Sequence, residues 1–212
     1  MSFHLPRIYP LTDVEISGLT HKEQVLRLSE GGASLIQLRE KDLPAGDFYW
    51  EAKSALSAAR GKGVQIIVND RVDVALAVRA DGVHLGQDDL PPEAARRLLG
   101  RDAIIGFSTH SVEQARKALS LPIDYLAVGP IFQTTTKQDP DPEIGLEGLR
   151  AVRSAIGNFP LVAIGGIDLS NSVAVLQAGA DSVALIRALL LHPSEIEATT
   201  RSLLQHLQNL DG

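Results

Sequence analysis

The stretch "SLIQLREKDL", Ser34–Leu43, passes from a β-rich apolar segment straight into Arg39, Glu40, Lys41 and Asp42. Its first half suits a strand buried on both faces, the kind that parallel sheets contain. Its second half puts two cations where that strand ends. What they do there depends on how many such strands the chain holds and how those strands are joined.

Seven further apolar runs share this character: "RIYPLT" near 7–12, "VQIIVN" at 64–69, "DGVHLG" at 81–86, "AIIGFS" at 103–108, "YLAVGP" at 125–130, "LVAIGG" at 161–166 and "DSVALI" at 181–186. They recur at intervals of roughly 20 to 30 residues, the length of a strand and helix together. Helical patterns fill the gaps. "THKEQVLRLSEGG" opens on Thr20 as an N-cap with Glu23 three residues on, a capping box, and closes on glycine, while Ser111 starts "SVEQARKALS" in the same N-cap role. Eight such units predict an α/β chain folded as one closed (β/α)8 barrel over residues 1–212, with an open doubly wound sheet as the competing arrangement. No G-x-G-x-x-G follows the first strand, which weakens the dinucleotide-binding form of that sheet.

The 212 residues, 44% of them hydrophobic, suffice for one sizeable core. A formal charge of -6 spread over mixed-sign faces argues against nucleic acid or an anionic membrane as a partner. With no cysteine, the chain has no disulfide framework and no thiolate chemistry. The start lacks a signal peptide pattern and no run of about eighteen apolar residues occurs, so a soluble, cytoplasmic protein is expected.

In such a barrel the residues after each strand form one ring. Here that ring is polar: Thr12 and Asp13; Gln37, Arg39 and Lys41; Asn69 and Asp70; Gln87, Asp88 and Asp89; Ser108 and His110; Thr134, Thr135, Thr136 and Lys137; Gly165 and Gly166. Arg39, Lys41 and Lys137 carry more positive charge than one phosphate monoester needs, the threonines add donors, and "AIGGI" permits close approach of a phosphate to backbone N–H groups. Asp70 and Asp89 are hard oxygen ligands of the kind that hold Mg²⁺ together with water and phosphate. A metal and several cations suggest a diphosphate. Each residue also has a plainer reading. Arg39 and Lys41 could pair with Glu40 and Asp42 in solvent, Asp70 could cap a helix starting near Arg71, and Asp89 could cap the helix entered through Pro91 and Pro92. His84 could be a hydrogen-bonded core histidine and His110 an orienting group.

The segments "IYPLTD", "QLREK", "VND", "DGVHLGQDD", "GFSTHS", "GPIFQTTTK" and "VAIGGI", in this order and spacing, resemble the thiamine phosphate synthases across nearly the whole chain. The resemblance implies a TIM barrel that joins the diphosphate of 4-amino-5-hydroxymethyl-2-methylpyrimidine to a thiazole phosphate, using Mg²⁺ and releasing pyrophosphate. It implies that Gln37, Leu38, Arg39, Glu40, Lys41, Asn69, Ser108 and Lys137 hold the pyrimidine diphosphate, with Arg39, Lys41, Lys137 and Ser108 acting in catalysis. Asp70 and Asp89 would bind the metal, and Thr134, Thr135, Thr136, Gly166, Ile186 and Arg187 would receive the thiazole phosphate. Arg187 departs from the family pattern, which has a small residue there. The thiazole tautomerases, a sister group on the same barrel, tend to carry His where this chain has Pro130. A silent barrel that only binds a thiamine precursor is the non-enzymatic rival. The acids and prolines of "QTTTKQDPDPEIG" predict a lid that is mobile without ligand.

Overall fold

The computed structural model describes residues 3–134 and 141–208. All eight expected strands form: β1 Ile8–Thr12, β2 Leu35–Leu38, β3 Gln65–Asn69, β4 Gly82–Leu85, β5 Ile104–Thr109, β6 Tyr125–Val128, β7 Leu161–Ile164 and β8 Ser182–Leu185. Each pairs in parallel with its sequence neighbour, and β8 returns to β1 through Ile8↔Val183 and Tyr9↔Ala184, closing the barrel and excluding the open sheet. Among the described residues no helix is long and apolar enough to cross a membrane.

Period-two alternation along each strand sorts the side chains into two layers. Ile36, Leu38, Ile66, Val68, Val83, Leu85, Ile105 and Leu126 point outward into the layer beneath the helices. Tyr9, Leu11, Leu35, Ile67, Ile104, Tyr125, Val162 and Ala184 fill the interior. The same alternation explains the opening stretch. Leu35 lies in the interior cluster, and Gln37, Arg39 and Lys41, each two residues further on, keep its phase and line the cavity at the mouth. The cations of "SLIQLREKDL" therefore continue the inward face of a strand.

The helix His21–Glu30 begins with the expected capping box, Thr20 and Glu23 exchanging side-chain and backbone bonds, and Ser111 caps Val112–Ala118 by accepting from Gln114 N–H. At the opposite end of the barrel from the mouth, three aspartates repeat one device. Asp81, Asp124 and Asp181 each donate their N–H to the carbonyl of a residue on the preceding strand, and each accepts that residue's N–H on Oδ2: Ile66 at 2.7 Å, Ile105 at 2.7 Å and Leu161 at 2.8 Å. Arg96 reaches Asp124 at 2.7 Å and Arg153 reaches Asp181 at 2.6 Å, and both arginines also satisfy carbonyls of the adjoining turns.

Candidate active site

A cavity of about 940 Å³ opens at the C-terminal ends of the strands, large enough for two small ligands. Gln37, Arg39, Lys41, Asn69, Asp70, Asp89, Ser108, Thr134, Gly166, Ile186 and Arg187 all line it, drawn from most of the strand ends. Thr135, Thr136 and Lys137, in the middle of the expected lid, lie outside the described residues. The side chains of Leu38 and Glu40 do not line the cavity. Leu38 is fully buried in the outer layer, and Glu40 accepts from the Asp42 and Leu43 amides and from His21.

The two cations do not pair with their sequence neighbours. Arg39 donates to Asp13 at 2.6 Å and Lys41 to Asp70 at 2.5 Å, so both bonds join different strand ends. Asp13 is fixed in turn, because its other carboxylate oxygen accepts from Ile16 N–H and its own N–H donates to Gln24. Behind β1 and β2, Thr12 Oγ1 bonds His21 Nδ1 at 2.7 Å and accepts from the Arg39 N–H at 3.3 Å. Burial pulls the His21 imidazole below its usual pKa, against the opposing pull of Glu40.

Neither acid expected at the metal site caps a helix. Val72–Val78 starts at Arg71 and Pro92–Leu99 at Pro91, both without a side-chain cap. Asp70 instead takes a left-handed backbone, φ 61°, with its N–H donating to the His84 carbonyl at 2.8 Å. A non-glycine residue held there stores strain, about 1 kcal/mol or more, of the kind that gathers at functional sites. Asp89 accepts from Gly86 N–H at 2.7 Å. Burial raises the Asp89 carboxyl pKa, and hydrogen bonding and repulsion from Asp70 raise it further, while Gly86 N–H and Lys41 pull it down. The two carboxyls thus interact across neighbouring strand ends. Among the described residues no cluster of three or more acid or histidine ligands exists. This donor set fits Mg²⁺, which takes one or two carboxylates and completes its shell with water and phosphate.

His84 is both buried and part of the site. Its Nε2 lies 2.8 Å from Ser108 Oγ and its Nδ1 3.0 Å from the Tyr125 hydroxyl, and burial drives its pKa down to about 4, which keeps the ring neutral. Gln87 Nε2 donates to the Ser108 carbonyl at 2.5 Å. His110 Nδ1 meets the Gly129 carbonyl at 2.7 Å, and Asp141 stands 3.5 Å away. Tyr9 and Tyr125 also line or border the cavity, and nothing in the sequence marks them, since a tyrosine in an apolar run reads as core. The glycine pair after β7 lines the cavity and also makes room for a neighbouring segment. A Cβ on Gly165 would fall 2.6 Å from Pro130 Cα and one on Gly166 would fall 2.5 Å from the Gln133 carbonyl oxygen, so the space they open is used by the chain after β6. Arg187 opens the short helix Arg187–Leu190 with its side chain exposed at the cavity rim.

Comparison with known proteins agrees with this geometry. Residues 8–189 match the family model described as thiamine monophosphate synthase. A thiamine-phosphate synthase from Chloroflexus aurantiacus is 46% identical over 198 residues, covering 93% of this chain and 90% of that protein. One from Syntrophomonas wolfei is 45% identical, covering 93% and 94%. Among solved structures, a thiamine phosphate pyrophosphorylase from Pyrococcus furiosus superposes with a TM-score of 0.86 at 37% identity, covering 97% of each chain. A (β/α)8 barrel with this ring of mouth residues, matched over nearly its full length, belongs to the thiamine monophosphate synthase family.

Proposed function

We propose that the chain is a thiamine-phosphate synthase, joining the aminopyrimidine diphosphate to a thiazole phosphate with release of pyrophosphate. The observation that carries this reading is the mouth of the cavity, where Lys41 pairs with Asp70 next to Asp89 and Arg39, held by Asp13, lines the same space. That arrangement suits a substrate with several negative charges and a bound divalent ion. The chemistry asks for little else. The bond from the pyrimidine methylene carbon to the diphosphate oxygen breaks with its electron pair leaving on pyrophosphate, and the thiazole nitrogen lone pair forms the new carbon–nitrogen bond. No proton leaves the reacting carbon, so the site needs positioning and charge stabilisation more than a general base.

Arg39, Lys41 and Lys137 would neutralise the charge that grows on the leaving group, and Ser108 would donate to it. Gln37 and Asn69 would hold the pyrimidine end, with Leu38 and Glu40 supporting the segment from beneath. Thr134, Thr135, Thr136, Gly166 and the Ile186–Arg187 turn would receive the thiazole phosphate. Asp70 and Asp89 would hold Mg²⁺, which when bound supplies further positive charge to the pyrophosphate oxygens. Pyrophosphate release from the two substrates with Mg²⁺, with the organic product identified, tests the assignment. Isomerisation of a thiazole without diphosphate or metal would mark a tautomerase instead, and binding without turnover would mark a silent barrel.

A further inference from the structure

A line of hydrogen bonds crosses the barrel interior beneath the cavity. Gln37 Nε2 donates to the Tyr9 hydroxyl at 3.0 Å, Tyr9 Oη lies 2.9 Å from Tyr125 Oη, Tyr125 Oη lies 3.0 Å from His84 Nδ1, and His84 Nε2 lies 2.8 Å from Ser108 Oγ. The five side chains come from β2, β1, β6, β4 and β5. Four of them are buried, and Ser108 is half-buried at the rim. At the other end Gln37, 2% exposed, lines the cavity with Oε1 buried and without a hydrogen-bond partner among the described residues.

Donor and acceptor counting gives this line a direction. A buried hydroxyl that fails to use its hydrogen costs about 1–3 kcal/mol, so each tyrosine must accept from one neighbour and donate to the next. Gln37 Nε2 can only donate. Tyr9 therefore donates to Tyr125, and Tyr125 donates to His84 Nδ1. The neutral ring then carries its hydrogen on Nε2 and gives it to Ser108 Oγ, which leaves the serine hydrogen for the cavity. Running the line backwards requires every bond to reverse together. Gln37 would then show its NH₂ group to the cavity, and Ser108 only lone pairs.

We propose that Tyr9 and Tyr125, acting through His84, are positioning residues that lock the two walls of the cavity as a matched pair, an acceptor at Gln37 and a donor at Ser108. The site thereby selects a ligand that carries an N–H donor at one end and an anionic oxygen at the other. Identifying that ligand as an aminopyrimidine diphosphate rests on the synthase reading. A ligand with a carbonyl in place of the amine is rejected twice over, because turning Gln37 to greet it also turns Ser108's lone pairs toward the phosphate. With the line cut, Gln37 rotates alone and the penalty at Ser108 disappears.

The experiment compares the native chain with Tyr9→Phe and Tyr125→Phe, each of which removes one oxygen and keeps the ring. Dissociation constants are measured by calorimetry for the 4-amino pyrimidine diphosphate and for its 4-oxo analogue, without thiazole phosphate. The preference for the amino ligand is expected to fall about tenfold or more in each variant, mainly through tighter binding of the oxo ligand. Equal weakening of both ligands, or an unchanged preference, overturns the proposal, since simple loss of packing predicts that. A second readout needs no ligand: the ¹⁵N shifts of the His84 ring in the native chain should report hydrogen on Nε2, and hydrogen on Nδ1 overturns the proposal. Failure of the native chain to bind either diphosphate would instead sink the synthase reading and leave the tautomer measurement to decide the line of hydrogen bonds. Should one variant fail to fold, the other variant and the tautomer still decide.

Discussion

Gly106→Ala adds one methyl group where the barrel has no room for it. Gly106 sits in register between His84 on β4 and Tyr125 on β6. A Cβ built on its backbone would fall 2.1 Å from Tyr125 Cζ, 2.3 Å from the Tyr125 oxygen and 2.5 Å from His84 Nδ1. Neither ring is free to withdraw. They stack with centroids 5.5 Å apart, Tyr9 meets Tyr125 edge-on at 5.8 Å, and Phe3 packs on the tyrosine at the same distance. Ordinary carbon contact therefore requires both rings to move by about 1 Å or more, against neighbours already at van der Waals distance. Overpacking of this sort costs about 1–3 kcal/mol, and losing the Tyr125–His84 bond adds about 1 kcal/mol. We expect Gly106→Ala to lose about 2–4 kcal/mol in urea unfolding followed by circular dichroism, and to lose turnover as well. Gly46→Ala is the control. It lies in the helix Ala45–Ala59 with nothing within 4 Å of its Cβ position, so it should gain about 0.5–1 kcal/mol from helix propensity. A Gly106→Ala protein within about 0.5 kcal/mol of the native chain and fully active would refute the reasoning, because the rings would then be movable.

Asp70→Ala and Asp89→Ala should each nearly abolish pyrophosphate release and flatten its Mg²⁺ dependence, with stability changed by less than about 1 kcal/mol because neither residue caps a helix; an intact rate with a stability loss would mean a purely structural role. For Arg187→Ser, initial rates with thiazole phosphate varied should show a KM higher by roughly tenfold, and an unchanged KM would put the guanidinium in solvent. Stability should also depend on pH through His84. Its pKa is lowered from 6.5 to about 4 in the folded chain, so the unfolded chain binds the proton more readily. That contribution is complete above about pH 6.5 and is lost as pH falls toward 4, by about 3 kcal/mol in total. His21, also lowered, acts in the same direction. Replacing His84 with Gln should flatten part of this loss in denaturation measured between pH 7 and 4, and an unchanged slope would show that the ring is not held neutral by burial.

The barrel was legible because each of its strands is a short, mostly apolar run followed by a polar turn, a pattern that needs no long-range information. Thr20, Glu23 and Ser111 were readable for the same reason, since a cap and the amides it satisfies lie within three residues. Asp70 and Asp89 were only half legible. Before Arg71 and before Pro91 an aspartate reads equally well as a helix cap, and what decides otherwise is the backbone at Asp70 and the approach of the two carboxyls across neighbouring strand ends. The partners of Arg39 and Lys41 were not legible at all. Glu40 and Asp42 stand beside them in sequence, yet a turn that keeps the strand phase aims both cations at Asp13 and Asp70, which the pairing of β2 with β1 and β3 brings near. Tyr9 and Tyr125, 116 residues apart in the chain, meet across the interior because the barrel closes.

The aspartates at the far end of the barrel imply that it is divisible. Asp81, Asp124 and Asp181 each clasp the strand immediately before their own, so β3–β4, β5–β6 and β7–β8 are latched as pairs, while none of these latches spans β4 to β5. A backbone cut in the turn near Gly100 would leave every latch whole within one fragment. Across that cut Arg96, on the first fragment, would still hold Asp124 and the carbonyls of Ala103 and Pro122 on the second. The barrel thus carries a ready clasp between two four-strand halves, placed on the face away from the mouth, where chain breaks, duplications and rejoined termini can be absorbed without disturbing the ring of strand ends.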